Sequence, residues 1–213
     1  MKEYYEKYWK NPEEAAPNKD ITTPKRIEIL KKEIGKNKKI LDIGCGNGLI
    51  THQISKMNEI FGIDISKNAI ESAKNKHKKI NFKMCNAEKK YPFKKEEFDI
   101  IFSGDLIEHL PEPIKMIKEA ERVLKKDGKL IITTPYHGFW KNLIIVLSRF
   151  DEHFDPEGPH LRFFSIKSMK KMLIKEGFKI KKVYYVGRFY PFSRDMIIIA
   201  KKYKCKKSVA END

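Results

Sequence analysis

Two short stretches hold the residue types that do chemistry. The first is Asp42-Ile43-Gly44-Cys45-Gly46-Asn47-Gly48, which comes after an apolar run and precedes a helical pattern. Glycines in that setting let the backbone approach a ligand closely and adopt positive φ. Asp64 ends the next apolar run, twenty positions after Gly44. A carboxylate placed there can accept both ribose hydroxyls of a nucleoside. The loop's spacing selects among nucleosides. A dinucleotide loop separates its last two glycines by two residues to seat a pyrophosphate on a helix N-terminus; here one residue separates them. Asp42, just ahead of the loop, would repel a pyrophosphate and suits an ammonium, such as that of a methionyl group. The plainer alternative is a tight turn in which Asp42 caps the helix.

The second stretch is Ser103-Gly104-Asp105-Leu106-Ile107-Glu108-His109-Leu110. Asp105, Glu108 and His109 are candidate bases for taking a proton from a hydroxyl acceptor. His109 is the first choice, because a neutral imidazole suits pH 7. The competing reading is that His109 bonds backbone and orders the loop. The spacing i, i+3, i+4 puts all three on one face of a helical turn. With His160 as a fourth donor, they form an oxygen and nitrogen set suited to Mg²⁺, Mn²⁺ or Zn²⁺.

These groups need elements to position them, and the chain alternates accordingly from Pro24. A helix is expected over residues 24–34, opened by proline in its first turn, then a strand over 39–43. A helix over 49–57 and a strand over 59–64 come after it. Ser66 is a suitable N-cap for a helix to Lys76. Strands over 80–85 and 98–103 come next, the latter apolar as a central strand should be. A helix over 111–125 is expected to bury Ile114, Ile117, Val123 and Leu124. Asp127-Gly128 turns into a strand over 129–133. A helix over 165–176 stops at Gly177, and β-rich runs over 178–186 and 196–200 close the series. The expected fold is α/β: a doubly wound, mostly parallel seven-stranded sheet with helices on both faces and the last strand antiparallel. One domain over residues 1–213 is expected. Residues 1–23 would be an N-terminal cap, 134–164 a substrate lid, and 201–213 a charged, fraying tail.

The glycine loop and several later segments resemble the class I S-adenosylmethionine-dependent methyltransferases. Leu41-Asp42-Ile43-Gly44-Cys45-Gly46-Asn47-Gly48 is similar to their first motif, and Gly62-Ile63-Asp64-Ile65-Ser66 to their second. Asn86-Ala87-Glu88 resembles the acidic dipeptide at the adenine, with Asn86 where the family usually has Asp. Residues 97–102, and 122–125 with Gly128, resemble the fourth and fifth motifs. The resemblance implies that Gly44, Gly46 and Gly48 line the methionyl part and Asp64 the ribose. It also implies that Ile65 packs on the adenine face, that Asn86 and Ala87 meet its edge, and that Ser103 sits beside the methyl group. Arg26 is either a partner for the methionyl carboxylate or a surface arginine. The carboxylate and histidine pattern resembles a metal site in small-RNA 3′-end methyltransferases and some quinone-biosynthesis O-methyltransferases, which usually carry Glu at the position of Asp105.

The stretch 134–164 is too long for a simple turn and is rich in aromatics and histidines. Its ends, 134–138 and 160–165, resemble lids of small-molecule methyltransferases near the quinone-biosynthesis group. Tyr136, His137, His160 and Arg162 are its candidate substrate contacts. Residues 141–150 read as an apolar helix, either core or a surface for a lipid-like acceptor or membrane face. Tyr4, Tyr5, Tyr8 and Trp9 read either as a helix packed on the domain or as a cap over the ligand; Pro12 and Pro17 break any longer helix.

The bulk numbers set limits. A chain of 213 residues can bury a sizeable core. No apolar leader or run long enough to span a bilayer is visible, and Cys45, Cys85 and Cys205 lack metal spacing, so a reduced cytoplasmic setting is expected. Net charge is +16, almost all from scattered lysines, which fits either a solvated surface or a polyanion site. Together these indicate an S-adenosylmethionine-dependent methyltransferase acting on a small molecule, with oxygen as the expected acceptor atom. The competitors are an RNA methyltransferase, a non-catalytic S-adenosylmethionine-binding protein, and a nicotinamide oxidoreductase, which the glycine spacing disfavours.

Overall fold

A computed structural model describes residues 2–10, 23–155 and 158–203. Pro12, Pro17 and Cys205 lie outside these. The elements are α1 (Lys2–Tyr8), α2 (Thr23–Ile34), β1 (Lys39–Ile43), α3 (Leu49–Ser55), β2 (Glu59–Asp64), α4 (Lys67–Lys76), β3 (Asn81–Met84), β4 (Phe98–Gly104), a 3₁₀ turn (Ile107–His109), α5 (Pro113–Val123), β5 (Leu124–Pro135), α6 (Phe139–Ser148), α7 (Phe150–His153), α8 (Ile166–Lys175), β6 (Phe178–Val186) and β7 (Asp195–Lys202). The seven strands form one sheet in the order β3-β2-β1-β4-β5-β7-β6. Only β7 runs antiparallel, pairing with β5 on one side and β6 on the other. The fold class is the expected one.

Strand periodicity builds two cores. Alternate residues of one strand face opposite sides, so Leu41, Ile101 and Ile132 pack with α5 and α8, through Met116, Ala120, Met169 and Leu173. Their chain neighbours Ile40, Ile100 and Ile131 pack on the other side with Ile29, Leu30 and Ile34 of α2. Each such residue, fully buried, stabilises the fold by roughly 1.5–3 kcal/mol before chain entropy is counted.

Several element boundaries shift, each for a local reason. Helix α5 stops at Val123, because Leu124 already pairs with Phe98 across the sheet, and a bulge comes after it. Ile114 is exposed, and Met116 and Ala120 take the core face instead. Helix α3 ends at Ser55, with Met57 at φ 68. The expected fraying at Lys201 does not occur. Both Lys201 and Lys202 belong to β7, and the buried Lys202 ammonium donates to the carbonyls of Glu121 and Leu124 at 2.7 and 2.9 Å. Helix α6 is not a core helix, since none of its residues is buried.

The reversal of strand order between β1 and β4 opens a crevice at the carboxyl ends of the strands, where ligands of such sheets sit. One ion-pair cluster closes the crevice floor. Arg26 of α2 is 5% exposed, so it is not a surface arginine. It pairs with Asp105 after β4 and with Asp195 at the start of β7, the latter at 3.0 Å. Removing the cation leaves two crowded carboxylates. Arg26→Met is expected to cost about 3 kcal/mol, less than a fully buried pair because Asp105 is partly solvated. Urea unfolding checks this; a loss below about 0.5 kcal/mol, the usual scatter for an unremarkable surface change, would contradict the clamp.

Candidate active site

The crevice holds a cavity of about 790 Å³. Its wall brings together most residues that the sequence singles out: Arg26, Asp42, Gly44, Gly46, Asp64, Ile65, Asn86, Ala87, Asp105, Glu108, His109 and His160. Gly48, Ser103, Tyr136, His137 and Arg162 are not in the wall.

At one end, Gly44, Gly46 and Gly48 all have positive φ, at 77°, 53° and 78°. That backbone is what admits the loop between β1 and α3, and L side chains resist it. Asp64 accepts from the Gly46 amide at 2.9 Å and the Ser66 amide at 2.9 Å, fastening the loop to the end of β2. Asp42 is buried and accepts from the Thr51 hydroxyl at 2.6 Å. Burial pushes its carboxyl up to about 7, and the nearby Asp64 adds to this. Burial also raises Asp64. Neither acid has a cation within salt-bridge distance among the described residues.

At the other end, Asp105 has φ 48 and stands ahead of the 3₁₀ turn rather than on it. The expected one-face helical triad is therefore not formed. Asp105 is held by Arg26 and by the Thr133 hydroxyl at 3.2 Å. The converging trio is Glu108, His109 and His160, with ligand atoms within 4.8 Å of one another. Glu108 is buried; one carboxyl oxygen accepts from the Thr134 hydroxyl at 3.0 Å, and the other, Oε1, has no hydrogen-bond partner among the described residues. Burial, then the charge of Asp105, pushes Glu108 up to about 8. His109 Nδ1 lies 2.8 Å from the Pro159 carbonyl. That acceptor requires the proton on Nδ1 and leaves Nε2, 4.0 Å from Glu108 Oε1, with its lone pair. Burial holds His109 below its ordinary value, so it is neutral at pH 7.

The segment after β5 meets the turn through its backbone. The Glu108 carbonyl accepts from the Leu161 and Arg162 amides, both at 3.0 Å. Arg162 grips the carbonyls of Leu110 and Pro111, so it staples main chain. Tyr136 is buried against Tyr185 and Tyr190, and His137 packs on His153 and Phe163. Ser103 is fully buried at the end of β4.

Other wall residues escape the sequence reading. Asp195 opens an otherwise apolar strand, which is a usable signal. Lys141 lies within an apolar run, which hides it. It donates to the carbonyls of Tyr136 at 2.7 Å and Arg194 at 3.1 Å, and burial lowers it to about 8. Tyr4, Tyr5, Tyr8 and Trp9, for which the sequence leaves a cap over the ligand as one of two readings, all line the cavity, and Tyr5 meets His109 edge-on at 5.9 Å.

Glu108 makes stability depend on pH. Its folded value lies above the ordinary 4.5. Between about 4.5 and 8, the folded chain keeps a proton that the unfolded chain releases, so this group's contribution turns unfavourable as pH rises. Glu108→Gln should melt higher than the unsubstituted chain at pH 8, by about 2–4 °C per kcal/mol relieved, and no higher at pH 4. Melting curves across that range check it; an equal difference at both ends would contradict a retained proton.

Comparison with known proteins accords with this geometry. A family model described as a methyltransferase domain matches residues 34–185. A ubiquinone biosynthesis O-methyltransferase of Coxiella burnetii is 32% identical over 159 residues, covering 71% of this chain and 68% of that protein. A SAM-dependent methyltransferase from Thermotoga maritima, described as a possible histamine N-methyltransferase, has a TM-score of 0.75 at 22% identity and covers 95% of this chain and 100% of its own. A SAM-dependent methyltransferase from Methanosarcina mazei has a TM-score of 0.66 at 25% identity, covering 82% and 96%. The loop, the crevice above β1 and β4 and these matches together make the chain a member of the class I S-adenosylmethionine-dependent methyltransferase family.

Proposed function

We propose that the chain transfers the methyl group of S-adenosylmethionine to an oxygen of a small, lipid-soluble acceptor. The observation that carries this is the cavity itself, which joins the glycine loop and Asp64 at one end to neutral His109 at the other. The donor fits the first end. Two buried acids there lack a cationic partner among the described residues, and the donor brings an ammonium and a sulfonium. Asp42 with Gly44, Gly46 and Gly48 would hold the methionyl part and Asp64 the ribose hydroxyls. Ile65, Asn86 and Ala87 would meet the adenine. Arg26 and Ser103 would act from behind, through Asp105 and the floor of β4.

S-adenosylmethionine supplies an already activated methyl group, so alignment can account for roughly 7–11 kcal/mol of the barrier. The residues of this chain orient the acceptor and take its proton. His109 Nε2 receives that proton, while the Pro159 carbonyl fixes the tautomer. Glu108, kept protonated by burial, can donate to an acceptor oxygen and steady it. His160 borders the same space, and Asp105 aligns the turn through Arg26.

The lipid-soluble acceptor rests on α6. Phe139, Trp140, Leu143, Ile144, Val146 and Leu147 are exposed and span one arc of about 160°. Lys141 and Asn142 point the other way, to Tyr136, Arg194 and His137. Such a helix, apolar outward and polar inward, is the reverse of a soluble surface helix. The related Coxiella protein is described as acting in ubiquinone biosynthesis, which is in keeping with an apolar acceptor.

A second reading is favoured by the trio of Glu108, His109 and His160. A divalent ion there would take Glu108 Oε1 and the free nitrogen of His109, with Pro159 as outer support, and would polarise an acceptor hydroxyl. Asp105 would not be a ligand, being engaged by Arg26.

Four measurements test these assignments. Calorimetry should show binding of S-adenosylhomocysteine and none of NAD. A methyl-donor assay over phenols, sugars, lipids, amines and short RNAs should favour an apolar hydroxyl compound, and turnover of RNA alone would overturn the reading. His109→Ala should slow transfer at least tenfold, and on the acid side the unsubstituted rate should fall below about pH 6.5, where His109 takes up a proton; unchanged rates remove it as the base. Elemental analysis of chelator-free protein soaked in each metal decides the second reading, which a lack of stoichiometric ion would end.

A further inference from the structure

Helix α1 cannot hold itself in place. It has seven residues, none of them buried. A helix that short is not stable alone in water, so whatever docks it decides where its aromatic side chains stand.

One carboxylate does most of that docking. Glu6 accepts from the Ser66 hydroxyl at 2.9 Å, the Lys67 amide at 2.8 Å and the Asn68 amide at 3.1 Å. The Asn68 side chain donates back to the Glu6 carbonyl at 2.9 Å. The acceptor thus sits on the N-terminus of α4, where free amides and the helix dipole favour an anion. Helix α4 has its own cap, since Ser66 Oγ accepts from Ala69 at 3.1 Å. Glu6 therefore joins two elements rather than completing one.

The position of this joint matters. Ser66 is two residues from Asp64, which accepts from both the Ser66 and Gly46 amides. Trp9 lies over Gly46, so close that a Cβ there would stand 2.5 Å from its ring. Contacts thus run in a closed ring from Glu6 to Ser66, Asp64, Gly46 and Trp9. On the same helix Tyr5 lies against His109, and its hydroxyl is buried without a hydrogen-bond partner among the described residues.

We propose that α1 is a strap across the donor site and that Glu6 is the positioning residue that latches it, placing Trp9 over the glycine loop and Tyr5 over the base. The strap rests on the assignment of the donor site above. Opening it lets the methyl donor enter and the spent nucleoside leave, so Glu6 sets the release rate.

The test uses the full chain with Trp140→Phe, which leaves Trp9 as the only tryptophan. Into it go Glu6→Ala and, separately, Glu6→Gln, which keeps the shape but puts an amide against the Lys67 and Asn68 donors. Without ligand, acrylamide should quench Trp9 at least twofold more strongly in both variants. Hydrogen exchange at the Lys67 and Asn68 amides should quicken about tenfold. With S-adenosylhomocysteine, release measured by stopped-flow should be about tenfold faster. Faster amide exchange with unchanged Trp9 quenching overturns the latch and leaves Glu6 as a cap of α4. Raised quenching with unchanged release overturns the strap's hold on the nucleoside. The quenching arm needs no ligand, so a failure of S-adenosylhomocysteine to bind the parent chain counts against the donor assignment and not against the latch.

Discussion

One guanidinium sets the geometry on which the rest of the site depends. Arg26 reaches from α2 into the crevice and holds Asp105 and Asp195 together. A buried pair of this kind adds little net stability, because desolvation offsets most of its attraction, but breaking it is costly. Its effect is to fix positions. Asp105 is held at a left-handed φ, and the chain then enters the 3₁₀ turn with Glu108 and His109 facing the cavity. The same pairing anchors the start of β7, so the antiparallel strand, the first long helix and the loop after β4 share one register.

Burial does the remaining electrostatic work. Asp42 and Glu108 are pushed up and His109 down, all mainly by desolvation. Each group is therefore closer to neutral than it would be in water. At the loop end, this leaves acids that gain by meeting a cation. At the turn, it leaves a carboxyl able to donate and an imidazole able to accept. One low-dielectric crevice thus produces opposite proton roles in neighbouring residues.

The fold is readable in the sequence because its signals are local and periodic. The apolar runs at 39–43 and 98–103, the three glycines and the Ser66 cap each imply a structure without knowledge of the others. Where the sequence misleads, tertiary contact wins. Leu124 has the pattern of a helix end and is claimed by Phe98 across the sheet. Asp105 has helical spacing to Glu108 and is drawn away by Arg26. Arg162 has the chemistry of a substrate contact and spends it on the carbonyls of Leu110 and Pro111. The cavity role of Lys141 stays hidden because an isolated charge inside an apolar run carries no sign of where it points, whereas Asp195 stands at the edge of its run. Acceptor chemistry is harder to read than donor chemistry for the same reason. The donor end is built from consecutive residues and the acceptor end from side chains far apart in the chain.

The contact between Trp9 and Gly46 joins two distant positions. No side chain larger than hydrogen fits at 46 while the indole is there, and the indole has a flat surface to lie on only while 46 is bare. A side chain at 46 must therefore displace the indole as well as strain the backbone, whereas a smaller residue at 9 leaves the loop its shape and takes away only its cover.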